Sequence, residues 1–171
     1  AYPAEFEGNC FVCEPAANLV RRYVFKRGAD GQATAVNAYA DTEFLTSTDE
    51  RFRPVWLSTG PDGCLYIVDM YHGILEDKLS QTSYLRKQII ERGLAAPVHL
   101  GRIWRIVPEG YTPRPAPNLA RATPAELVGS LSDANGWRRD TAQRLLVESG
   151  DAAVAAELRS LAVGGRNPLG R

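Results

Sequence analysis

Two stretches of this chain repeat one another, and that repeat limits what the chain can fold into more than any other feature. Gly8-Asn-Cys-Phe-Val-Cys-Glu14 aligns with Gly63-Cys-Leu-Tyr-Ile-Val-Asp69, 55 positions further on. Each is a glycine turn, a five-residue run that is apolar apart from Asn9, and a carboxylate. A second match follows, Asn18-Leu-Val-Arg-Arg-Tyr-Val24 with Gly101-Arg-Ile-Trp-Arg-Ile-Val107, which sets Arg22 opposite Arg105. Four short strands to a unit, with turn signals between them, is the arithmetic of a propeller blade. Strands that are apolar on both faces suit sheets stacked face to face.

The sharpest local signal is a hairpin within Phe52–Gly73. Its strands are expected at Val55–Thr59 and Leu65–Asp69, joined by Gly60-Pro61-Asp62-Gly63. Pro61 presets φ for the first corner of a type I turn, and Gly63 can take the positive φ that closes it. An antiparallel hairpin returns its two open ends to one place. Arg53 should therefore meet Asp69, Tyr71 and His72, and the repeat puts Glu14 at the position of Asp69. A planar arginine fork can hold a ligand carboxylate or quinone oxygen in two hydrogen bonds. Arg53 can equally pair with Asp69 to brace the hairpin end, and the sequence leaves both readings open. His72 reads either as a hydrogen-bonded loop residue or as a base; His99, just before a strand, is the weaker candidate.

The first unit continues with strands expected near Ala33–Tyr39 and Glu43–Leu45. The second carries an insertion from Ile74 to about Leu100. Within it Thr82 or Ser83 can cap a helix at Tyr84–Arg92, with Leu85 and Ile89 on one face, and Gly93 and Pro97 end it. After Val107 come four prolines in ten residues, a stiff linker. Thr123-Pro-Ala-Glu126 is a capping box with proline at the first helical position. A second helix is expected over about Trp137–Glu148, and a third from Asp151 through Leu161. Short antiparallel helices in series suggest the start of an α-solenoid. The fold class is thus mainly β with an α-helical C-terminal part. A partial β-propeller of about two blades (1–50 and 51–107) precedes a linker (108–122), helices (123–163) and a frayed tail (164–171).

Several chemistries are set aside. The 20 basic residues balance 20 acidic ones, and no clustered basic face of the kind nucleic acid needs is visible. No apolar run approaches the length of a membrane span. Three cysteines, Cys10, Cys13 and Cys64, are too few for a disulfide framework. Cys10 and Cys13 form a CxxC, but on a strand positions i and i+3 face opposite ways and cannot share a metal; Glu14 stands where haem attachment needs His. No metal site is therefore expected. Trp56, Trp104 and Trp137 are expected to fill the core. The chain opens at Ala1-Tyr2-Pro3 without Met or signal peptide and reads as a piece of something longer.

Taken together, Phe52-Arg-Pro-Val, Gly60-Pro-Asp-Gly, Val68-Asp-Met-Tyr-His-Gly, Ser83-Tyr-Leu-Arg and Gly101-Arg-Ile-Trp-Arg-Ile resemble the last blades of glucose/sorbosone dehydrogenase-like propellers. More narrowly, the chain resembles the bacterial membrane-bound dehydrogenase type, in which HEAT-like helices and a c-type cytochrome domain follow the propeller. Asn135-Gly-Trp-Arg-Arg-Asp-Thr-Ala-Gln-Arg-Leu-Leu146 is similar to the first of those helical repeats. The resemblance implies a periplasmic or extracytoplasmic six-bladed oxidoreductase using pyrroloquinoline quinone (PQQ) with calcium. It implies a sugar or alcohol substrate and a cytochrome-type electron acceptor, with haem c on a downstream domain. It places Arg53, Asp69, Tyr71, His72 and Glu14 toward the cofactor or substrate, while the catalytic base and calcium ligands belong to other blades. The fragment alone is then expected to bind no cofactor and to be inactive. The rival reading is a non-catalytic propeller-plus-HEAT scaffold that binds a carbohydrate or a protein.

Overall fold

A computed structural model of the chain describes residues 3–165, 167 and 170. These form two antiparallel sheets and four α-helices, arranged in two compact units. One unit holds the chain up to Ser58 together with Leu65–Ile106; the other holds Thr59–Cys64 and the chain from Val107 onward. Helix outweighs strand among the described residues, so the chain is mixed α/β rather than mainly β, with its strands in two separate antiparallel sheets.

The first sheet comprises β1 (Cys10–Glu14), β2 (Leu19–Arg27), β3 (Ala33–Asn37) and β4 (Leu45–Thr46). β1 pairs along Leu19–Tyr23, β3 along Tyr23–Arg27, and β4 at Leu19 and Val20. β3 and β4 therefore share the edge of β2 that lies opposite β1. The second sheet runs in the order β5 (Pro54–Thr59), β6 (Leu65–Asp69), β7 (Arg102–Ile106). Between β5 and β6 the Gly63 N–H donates to the Gly60 carbonyl (3.0 Å) and the Gly60 N–H to that of Cys64 (2.9 Å). Gly63 takes φ 83°, and its counterpart Gly8 takes φ 70°, the left-handed region that glycine enters at little cost.

The repeat extends to register. β1 and β2 pair Cys10 with Tyr23, Phe11 with Arg22, Val12 with Arg21, Cys13 with Val20 and Glu14 with Leu19. β6 and β7 pair Leu65 with Ile106, Tyr66 with Arg105, Ile67 with Trp104, Val68 with Ile103 and Asp69 with Arg102. Shifting by 55 positions on one strand and 83 on the other converts every pair of the first set into one of the second. A slip of one residue would turn every side chain to the opposite face, so the two strand pairs are equivalent objects.

Val20, Phe52 and Ile67 form buried points of the sheet unit. Between β6 and β7 lies α1 (Ser83–Glu91), capped by Thr82, whose hydroxyl accepts from the Leu85 N–H (3.2 Å); its buried residue is Ile89. Two of the three tryptophans are not core residues as expected. Trp56 is 66% exposed and Trp104 43%, because β5 and β7 are the outer strands of an open three-stranded sheet and nothing described covers them.

In the helical unit α2 (Pro124–Ser130), α3 (Gly136–Ser149) and α4 (Ala155–Gly164) surround Leu119, Leu127, Val128, Ala142, Leu146 and Val154, with Trp137 packed against them. The capping box forms: the Thr123 hydroxyl accepts from the Glu126 N–H (3.4 Å), and the Glu126 carboxylate accepts from the Thr123 N–H (2.7 Å). Asn135 caps α3 through the Trp137 N–H (2.9 Å), and Asp151 caps a 3-10 turn at Ala152–Val154 that leads into α4. Part of the expected linker belongs to this core, since Leu119 is buried on a 3-10 turn at Leu119–Arg121. α4 runs to Gly164; in the tail that was expected to be frayed, Asn167 donates its amide to the Ser132 carbonyl (3.4 Å), and residues 166, 168, 169 and 171 lie outside the described residues.

Two substitutions distinguish backbone strain from crowding. Gly63→Ala forces a side chain into the left-handed region, about 1–2 kcal/mol, and sets its Cβ 3.0 Å from the Tyr111 hydroxyl. Gly8→Ala meets the strain alone, with nothing within 4 Å. Urea unfolding should therefore show the larger loss for Gly63→Ala; equal losses would mean that the Tyr111 contact is unimportant.

Candidate functional site

Asp69 is 1% exposed, and a buried carboxylate must find donors. One oxygen accepts the main-chain N–H groups of Arg53 and Tyr71, each at 2.8 Å. The other accepts the Trp104 indole N–H at 2.9 Å. The acid at the end of β6 thereby joins the start of β5, its own following turn and β7.

Arg53 lies beside it, buried, and its side chain turns away from the carboxylate. Nε donates to the His72 carbonyl (3.0 Å) and one terminal nitrogen to that of Gly73 (3.2 Å). The other terminal nitrogen donates to the carbonyls of Pro15 (2.7 Å) and Ala16 (3.3 Å). The fork thus holds four main-chain carbonyls and does not pair with the Asp69 carboxylate. Pro15 and Ala16 follow β1 as His72 and Gly73 follow β6, so one side chain ties together the loops after two equivalent strands. Burial pushes the guanidinium below its ordinary pKa, while the charges of Glu76 and Glu50 oppose that shift.

Of the five residues singled out from the sequence, the hairpin end gathers Arg53, Asp69, Tyr71 and His72. Tyr71 adopts φ 47°, uncommon for a bulky residue. Three contacts hold it there: its N–H to Asp69, its hydroxyl donating to Asp49 (2.8 Å), and the Arg102 guanidinium 3.5 Å from the ring centroid. The His72 ring Nδ1 sits 2.5 Å from the Ile74 carbonyl. Glu14 differs from its counterpart, being exposed at the end of β1, where no strand flanks it on the outer side among the described residues.

Sequence reasoning missed Asn18, Asp49 and Arg102. Asn18 (φ 57°) donates its side-chain amide to the Phe52 carbonyl at 2.6 Å, a second tie between the sheets. An asparagine between two strands, where the left-handed region is needed, is the signal that could have marked it. Asp49 accepts the Arg51 N–H (3.0 Å) and the Tyr71 hydroxyl. The backbone N–H of Arg51 first, and then the side-chain hydroxyl of Tyr71, hold its carboxyl below the usual range, with the charges of Arg51 and Arg102 adding to the effect and burial opposing it. Cys10, Cys13 and Cys64 are free thiols, and burial pushes Cys13 up.

The Arg53 guanidinium thus directs four of its N–H groups to main-chain carbonyls, and the Asp69 carboxylate is enclosed by three N–H donors. Among the described residues no three His, Cys, Asp or Glu side chains converge to hold a metal ion.

A family described as a domain of unknown function, DUF7133, matches residues 1–110, which include both sheets and α1. No curated protein matches the chain, and no solved structure matches it. Among the described residues no helix is long and apolar enough to cross a membrane.

Arg53→Lys keeps the charge but cannot reach four carbonyls, and should lower stability by about 2–3 kcal/mol in denaturant melts. An unchanged midpoint would show that the clamp is not structural. Trp104→Phe strands one buried Asp69 oxygen and should lose about 1–3 kcal/mol. Asp49 has a depressed folded-state pKa, so its contribution to stability is complete above the unfolded value, near 3.9, and disappears as pH falls through the folded one. Tyr71→Phe should flatten that acid-side loss; a variant with the parent's full acid dependence would contradict the assignment.

Proposed function

This chain belongs to the DUF7133 family, and we propose that it is an architectural segment of a glucose/sorbosone dehydrogenase-like extracytoplasmic protein, with no catalysis of its own. On this reading the two sheets are adjacent blades and the C-terminal helices a HEAT-like extension. Partners are then a carbohydrate or a protein, met by surface contact rather than by bond-making.

One observation carries the proposal. The Arg53 guanidinium, the group best suited to polarise a quinone or grip a ligand carboxylate, donates to four main-chain carbonyls. A catalytic arginine needs donors directed at the reacting molecule; this one has them directed at its own loops. The shared register of β1–β2 and β6–β7 supports the blade reading, since blades are copies of one hairpin-based unit.

The test is direct. The purified chain, supplied with PQQ, calcium and a panel of sugars and alcohols, should reduce no artificial electron acceptor above a protein-free control. Adding PQQ should leave its tryptophan fluorescence without saturable quenching, although Trp56 and Trp104 are exposed enough to report it. Turnover, or a saturable quench abolished by Arg53→Lys in a folded variant, would overturn the proposal.

A further inference from the structure

One arginine of the sheet unit is held in place while its fork stays open. Arg22 and Arg53 are buried, and each directs its guanidinium at the chain itself. Arg22 bonds Asn9, Glu5 and Tyr39, and Arg53 bonds four carbonyls. Arg102, half-buried at the start of β7, differs from both. Its Nε donates to the Leu100 carbonyl at 3.4 Å, a long bond. Its two terminal nitrogens have no hydrogen-bond or ion-pair partner among the described residues. Aromatic rings fix it instead: the guanidinium carbon stands 3.5 Å from the Tyr71 ring centroid and 5.7 Å from that of Trp104. Arg102 and Trp104 alternate onto one face of β7, and the left-handed backbone of Tyr71 (φ 47°) accompanies the placement of its ring against Arg102. An arginine whose rotamers the rings already restrict loses less side-chain freedom on binding than one free in solvent.

Three kinds of contact are grouped here, from four separate segments of the chain. The Arg102 fork donates. The Tyr71 hydroxyl is turned to Asp49 (2.8 Å), so the same ring carries the donor fork on its face and an exposed acceptor carboxylate at its hydroxyl. Arg51 and Arg102 both act on the charge of Asp49; two guanidinium charges against one carboxylate leave one positive charge, which favours an anion. The third contact is apolar: Trp104, beside the fork, is 43% exposed.

A planar guanidinium fork is matched best by a carboxylate, held in two parallel bonds. Asp49 calls for a hydroxyl that donates, and the Trp104 ring for a flat C–H surface. A sugar that carries a carboxylate has all three on one rigid ring, whereas an acidic peptide side chain brings the carboxylate alone. We propose that Arg102, Asp49 and Trp104 bind a uronic acid residue of an acidic polysaccharide. Arg102 takes the carboxylate, Asp49 a ring hydroxyl and Trp104 the C–H face. The inference rests on the reading of the chain as one that meets a carbohydrate by surface contact, and it specifies which carbohydrate.

Calorimetric titration of the intact chain with an oligogalacturonate should give saturable heat. The neutral galactose oligosaccharide of equal length should bind at least about tenfold more weakly, the effect of losing one charge-assisted pair. Arg102→Lys keeps the charge without the fork and should weaken the uronate about tenfold. Because Arg102 also supports Tyr71, unaltered hydrogen exchange over Leu65–Asp69 would show that this variant folds; the comparison of charged and neutral sugars needs no variant at all. Absence of saturation, equal affinity for the two sugars, or full affinity in folded Arg102→Lys would each overturn the inference. So would tighter binding of an oligoaspartate peptide, which would give the fork to an acidic polypeptide. Failure here without quinone-dependent turnover leaves the architectural reading standing, whereas such turnover overturns that reading whether or not the uronate binds.

Discussion

Two loops that both end in carbonyl groups cannot hydrogen-bond to each other; a donor must stand between them. In the sheet unit Arg53 is that donor. Its planar fork reaches Pro15 and Ala16 after β1, and His72 and Gly73 after β6. Burying a guanidinium opposes folding unless most of its N–H groups are satisfied, and four carbonyl bonds supply that satisfaction. Lysine offers a compact point charge with no fork, so the position demands arginine. The bond from Asn18 to the Phe52 carbonyl is a second tie from the first sheet to the chain entering β5.

Asp69 does for one sheet what Arg53 does between two. Its carboxylate collects N–H groups from β5, from the turn that follows β6 and from Trp104 on β7. Two opposite charges stand side by side without pairing, because each is more fully satisfied by neutral partners arranged around it. Buried ionic groups often owe their place to such networks rather than to attraction between them. A cluster of Arg, Asp, Tyr and His at the end of a hairpin therefore has the composition of an active site and the hydrogen bonds of a joint.

The elements set by short-range chemistry were legible in the sequence. β6 falls at Leu65–Asp69, the span its alternation and flanking turn predict. Thr123 caps the helix it was expected to cap, and of the two candidates Thr82 and Ser83 it is Thr82 that caps α1, since a cap depends on three or four neighbouring residues. The meeting of Arg53, Asp69, Tyr71 and His72 was legible because any antiparallel hairpin brings its ends together. The partners of those residues were not, because Pro15, Ala16 and Trp104 are 38, 37 and 35 positions distant from their partners. The tryptophans misled for a related reason: apolar type predicts burial only where some element covers the strand, and β5 and β7 are outer strands.

What the sequence determined by itself is the repeat: two glycine turns, two five-residue strands ending in carboxylates, and two partner strands in one register. Side-chain alternation and turn geometry leave a hairpin little choice of pairing, so the pattern carries over into hydrogen bonds almost unchanged. Only the tertiary structure decided how the equivalent positions diverge. Asp69 is enclosed and Glu14 open because β5 lies on the second edge of β6, whereas among the described residues β1 is paired on one edge only, with β2. Burial and hydrogen-bond partners belong to what surrounds a residue, and the repeat specifies the strand without specifying its neighbours.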